Sequence, residues 1–172
     1  MILAIGLGVI GVQGDIYLGI DEIAKAFGVV ALGSVSATSI FMIVVLFFKS
    51  VSASGAFSGM LSAASGFIIG AYIPISQFSE NVQTVCNIFP ASQITIVLRN
   101  VLINGLLEHM NTSLAGVDHG MFVTIIKELF SFKARIFDRY LDVTQMLGYI
   151  TVSILVCIVA QIIVYSKTYK KA

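Results

Sequence analysis

The sequence predicts an all-α, polytopic integral membrane protein, and three observations carry that prediction. Of 172 residues, 58% are hydrophobic and 11% are charged, whereas soluble domains carry about 25% charge. The mean hydropathy of +0.98 leaves too little polar surface to cover a water-soluble core. The charges are also spaced: 23 uncharged residues lie between Lys25 and Lys49, 30 between Lys49 and Glu80, and 24 between Asp142 and Lys167. A helix crossing a bilayer needs about 20 mainly apolar residues. A soluble helix of that length would show a polar face, and these runs do not.

Taken in order, residues 1–16, "MILAIGLGVIGVQGDI", read as a glycine-rich partial span. The stretch lacks the basic start and small-residue cleavage site of a secretory signal and is short for a full crossing. We therefore expect a truncated span, the chain being a fragment or starting at an internal methionine. An acidic link follows at 17–24, then a span at 25–48, a tight link at 49–54 and a second span at 55–73. The final span is expected at 147–165. Between them, residues 76–109 are apolar enough to enter a membrane, but they are interrupted at Pro90 and carry Asn87, Gln93, Arg99 and Asn104. Proline inside a helix costs about 3 kcal/mol, and a charge at bilayer centre costs roughly 2.5 kcal/mol or more. The expected solution is two shorter helices joined at Phe89–Pro90, re-entrant or interfacial, since broken backbone at membrane depth needs shielding neighbours. Residues 123–141 interleave Ile125, Ile126, Leu129, Phe130, Ile136 and Phe137 with charges, and predict an amphipathic surface helix.

The 55–73 span is crowded with small residues at helical spacing. Gly55 and Gly59 form one G-x-x-x-G, continued by Ala63, and Gly66 and Gly70 form a second. In lipid, helices associate largely through close approach of small side chains, so these four glycines are expected to pack this helix against a partner. Gly28, Gly33 and Ala37 repeat the pattern more weakly in the preceding span. Pro74 is expected to end the glycine helix, because it lacks a backbone donor and clashes with the turn before it. Lys49, Lys167, Lys170 and Lys171 place the ends they flank on the cytoplasmic side. Lys25 and the basic residues between 127 and 139 count against that orientation.

Other chemistries find little support. A net charge of +1 with no basic stripe argues against nucleic-acid binding. Cys86 and Cys157 could form one disulfide, but their apolar surroundings favour small buried hydrophobes. "GLGVIG" at residues 6–11 lacks the strand–turn–helix context and later acidic residue of a dinucleotide site. His109 and His119, even with Glu108 and Asp118, fit no compact metal-ligand spacing. No nucleophile has an adjacent base, so no catalytic residue and no cofactor are expected. Arg99 has two readings: an interfacial side chain with its head in water or at phosphates, or a residue on the rim of a cavity.

The order of these features resembles the transmembrane subunit of ABC-2 type ABC exporters. The resemblance rests on "LSAASGFIIGAYIPISQF", then "VCNIFPASQITIVLRNVL", a hydrophilic stretch, and a last span with a basic tail. It covers about residues 25–166. The family's second proline is missing after Pro74, where Ser79 and Glu80 stand. The resemblance implies a permease with short external helices before its last span, matched here by Val82 to His109, with Pro74 and Pro90 shaping their turns. It also implies a separate ABC ATPase as partner, a second permease copy to form a dimer, a plasma-membrane location, and no catalysis by the permease itself. On that alignment the chain corresponds to the C-terminal part of a permease. The rival readings are a small accessory or immunity-type membrane protein that binds another membrane protein, and a channel-like or holin-like protein.

Overall fold

A computed structural model describes residues 19–113 and 120–169. The expected partial span at 1–16, Asp118 and His119, and the tail residues Lys170 and Lys171 lie outside the described residues. Six helices are present among them: α1 (Ile20–Leu46), α2 (Val51–Ile68), α3 (Glu80–Ile88), α4 (Pro90–Ser113), α5 (Met121–Leu129) and α6 (Val143–Tyr169). A short antiparallel hairpin, β1 (Ala134–Ile136) and β2 (Arg139–Leu141), lies between α5 and α6.

Helices α1, α2 and α6 are each long and apolar enough to cross a membrane. At 1.5 Å per residue, the 27 residues of α1 and of α6 reach roughly 40 Å. The 18 residues of α2 reach only about 27 Å, close to the thickness of the hydrocarbon layer. Their starts and stops follow local chemistry. Helix α1 begins before Lys25 because Asp21 and Glu22 favour a first turn, with the Glu22 carboxylate accepting the Gly19 N–H. Helix α2 begins at Val51, earlier than the apolar run suggests, because the Ser50 hydroxyl accepts the Ala53 N–H at 3.1 Å.

The far end of α2 departs from expectation. It stops at Ile68, well before Pro74, and the residue responsible is Gly70, whose φ is +70°. Its N–H donates to Phe67 O at 3.1 Å while the Ala71 N–H donates to Gly66 O at 2.9 Å. Those two bonds are the Schellman pattern that closes a helix at a left-handed glycine. Pro74 instead precedes a single 3-10 turn, Ile75–Gln77.

Helices α1, α4 and α6 pack together. Val29, Ile96, Val97 and Met146 form their buried centre, with Ala134 of β1 beside them. Val29 and Met146 belong to the same buried cluster, and farther along both helices Gln161 donates to Ser39 O at 2.6 Å. Helices α1 and α6 therefore run parallel, so Lys49 and Lys167 share one end. The other end carries α3, α5 and the hairpin, which together form a cap.

The amphipathic helix expected over 123–141 is half right. Helix α5 ends at Leu129, and the chain then alternates: Phe132 and Ala134 are buried while Lys133 between them is exposed. That period of two is strand-like, and the segment folds back on itself. Phe137, at the tip, takes a φ of +51°, unusual for a bulky residue. Its N–H donates to Thr84 Oγ1 at 3.1 Å and its carbonyl accepts from Arg135 Nε at 3.1 Å, which holds it there.

Candidate functional site

The polar residues gathered at the α3–α4 break hold the cap to the bundle. The two helices bend by 94°. Pro90 opens α4, where its missing N–H leaves no hydrogen bond unmade, and it keeps Phe89 extended (φ −73°, ψ 124°). Inside the bend, Asn87, Ser92 and Gln93 are fully buried. Asn87 Nδ2 donates to Arg135 O at 2.9 Å, and Asn87 Oδ1 accepts from Ser92 Oγ at 2.9 Å. Gln93 Nε2 donates to Asn87 O at 2.8 Å. The Tyr149 hydroxyl of α6 donates to Ile88 O at 2.8 Å, tying the bend to the last span. Cys86 is buried here and Cys157 lies half-buried on α6; both are free thiols.

Arg99 has a structural place that neither sequence reading described. Its Nη1 donates to Phe130 O at 2.5 Å and its Nη2 to Gly70 O at 2.7 Å. One guanidinium thus joins the end of α5 and the end of α2 to the middle of α4. Asn100 does related work, donating to Phe132 O at 2.8 Å. At the surface, Arg135 pairs with Glu80 at 2.7 Å, a bond that raises the guanidinium pKa further. Because Glu80 is open to solvent, the pair orients the hairpin on α3 more than it stabilises it.

The four glycines of the small-residue pattern separate into two groups. Gly70 is the helix-ending glycine described above, outside α2, so it is not a helix-packing residue. At Gly66 an added Cβ would come within 2.2 Å of the Tyr72 ring, so this glycine receives the chain as it folds back after the helix. Among the described residues nothing faces Gly55 or Gly59: an added Cβ at either meets no atom of them within 4 Å. Ala63, next on the same stripe, is exposed as well. By contrast Gly33 of α1, on the weaker stripe, is in use, because a Cβ there would sit 3.0 Å from Ile94 of α4.

These features define a multi-pass membrane protein: three lipid-facing helices, a sharply bent helix pair, and a hydrogen-bonded cap at one end. The chain belongs to the ABC-2 transporter family, since the family model described as "ABC-2 family transporter protein" matches residues 1–166. It is accordingly a permease subunit of an ABC-type transporter, a transport component and not an enzyme. No curated protein and no solved structure matches the chain.

Proposed function

We propose that the chain is the transmembrane part of an ATP-driven ABC-2 exporter, working with a separate ABC ATPase and a second permease copy in the cell membrane. The observation that carries this reading is the bare Gly55–Gly59–Ala63 face on a helix otherwise built for lipid. Helices in lipid gain little from apolar contact alone, and small residues favour close backbone approach. A stripe left open by the described residues of its own chain therefore calls for another helix, and a permease dimer supplies one.

In this reading the end bearing Lys49 and Lys167 is cytoplasmic and the cap is external. ATP binding and hydrolysis in the partner bias two arrangements of the paired helices, and cargo passes between the subunits; a coupled change of this kind needs only a difference in partner affinity between the two states. The cap is positioned to shield the outer mouth, with Arg99 coupling the α2 end to it. The cargo belongs among drugs, antimicrobial peptides, lipids and polysaccharides.

Co-expression with an ABC ATPase tests the assembly. The expected result is co-purification and ATPase activity that changes when the permease is present. Biological activity of this chain in cells without any ABC ATPase would instead favour the accessory or immunity-type reading. Orientation is checked by impermeant thiol labelling in a background where Cys86 and Cys157 are alanine: Ser113→Cys should label from outside and Ser54→Cys should not.

A further inference from the structure

The cap contains a cavity of about 770 Å³, part of whose wall, through Asn100, also ties the cap to the bundle. It opens between α4, α5 and the hairpin, and its wall carries Lys127, Lys133 and Arg135 against a single carboxylate, Glu128. Arg135 is already paired with Glu80. The side-chain ammonium groups of Lys127 and Lys133 have no ion-pair or hydrogen-bond partner among the described residues. Lys127 is half-buried and Lys133 is exposed.

The neutral donors of the wall are mostly occupied. Gln83 Nε2 donates to Ser76 O and Phe78 O, and Asn100 Nδ2 to Ile96 O and Phe132 O. The Ser76 hydroxyl donates to Leu129 O and the Thr124 hydroxyl to Gly120 O. What the cavity offers a ligand is therefore positive charge from two flexible ammonium groups on different elements. Lysine suits phosphate as a compact point charge with freely rotating donors, and a dianionic phosphoryl group can engage two such donors together. The volume far exceeds phosphate alone, and the Phe132 and Tyr140 rings supply an apolar wall for an organic substituent.

We propose that this cavity binds a phosphate ester, with Lys127 and Lys133 gripping the phosphoryl oxygens and the aromatic side receiving the esterified alcohol. Glu128 offsets one of the lysine charges, so the site suits a single phosphoryl group better than a polyanion. The ester can come from a phospholipid headgroup or from a soluble compound. The site stands apart from the transport reading, and its binding does not require the ATPase.

The test uses the full chain in a neutral maltoside detergent with two probes, sn-glycerol 3-phosphate by calorimetry and phosphatidylglycerol by native mass spectrometry. Binding of at least one is expected, weakened tenfold or more in the Lys127→Ala/Lys133→Ala double variant. Lys127→Arg/Lys133→Arg should retain binding, and Lys49→Ala, at the opposite end, should leave it unchanged. Binding of phosphatidylglycerol alone identifies a lipid headgroup as the source; binding of both shows that a soluble ester suffices. Failure of both probes, binding indifferent to the double alanine change, or equal affinity for glycerate would overturn the proposal.

Discussion

Helices α1 and α2 are adjacent in sequence, apolar, and rich in small residues, yet the fold treats them differently. Helix α1 is packed: Gly33 admits Ile94 of α4, and Ser39 accepts a hydrogen bond from Gln161 of α6. Helix α2 packs far less against the other described elements; the Phe48–Phe57 ring pair at 5.2 Å lies in its first two turns, and the Arg99 bond to Gly70 O lies just past its end. The share of each span buried inside the chain falls from 17% in α1 to 6% in α2. Small residues thus signal that a helix approaches something closely, without saying whether that neighbour lies in the same chain. The stronger stripe is the one left open.

Substitutions can break this comparison. The largest effect is expected for Gly55→Leu/Gly59→Leu assayed in proteoliposomes with the ATPase: transport should fall tenfold or more. The melting temperature of the detergent-solubilised chain should stay level, since no described residue packs against either position. Next comes Arg99→Leu, which leaves the Phe130 and Gly70 carbonyls without their shared donor. A loss of about 3 kcal/mol is expected, at the upper end for hydrogen bonds to a charged group, and chemical denaturation of the purified chain measures it. Gly33→Leu should cost about 2 kcal/mol in the same assay through overpacking against Ile94. If it were harmless while Gly55→Leu/Gly59→Leu unfolded the chain, the two helices would have been assigned the wrong way round. The smallest effect is expected for Gln161→Leu, about 0.6 kcal/mol, typical of hydrogen bonds between membrane helices.

Much of the fold could be read from charge spacing, because a lipid environment penalises every stray charge and so leaves its mark on composition. The runs between Lys25 and Lys49, Lys49 and Glu80, and Asp142 and Lys167 mark the three long helices. Boundaries were harder to read, since they depend on single side chains: Ser50 as a cap, and Gly70 as a left-handed stop that acts before Pro74 can. The hairpin was missed because Ile136, Phe137 and Leu141 satisfy a helical period as well as a strand period. The alternation from Phe132 to Ala134 was the available signal. Arg99 was beyond sequence reasoning, because its two acceptors are backbone carbonyls 29 and 31 residues away, and a carbonyl carries no side-chain identity. The lysine cavity was hidden for a similar reason, being assembled from four separate segments.

Cross-linking across the glycine face in native membranes probes the central claim most directly, namely that another copy of this chain covers α2. With Cys86 and Cys157 replaced by alanine, Gly59→Cys should give a disulfide-linked dimer on mild oxidation, while Val152→Cys, on an exposed face of α6, should remain monomeric. A monomeric Gly59→Cys protein, or equal cross-linking at the two positions, would contradict the account.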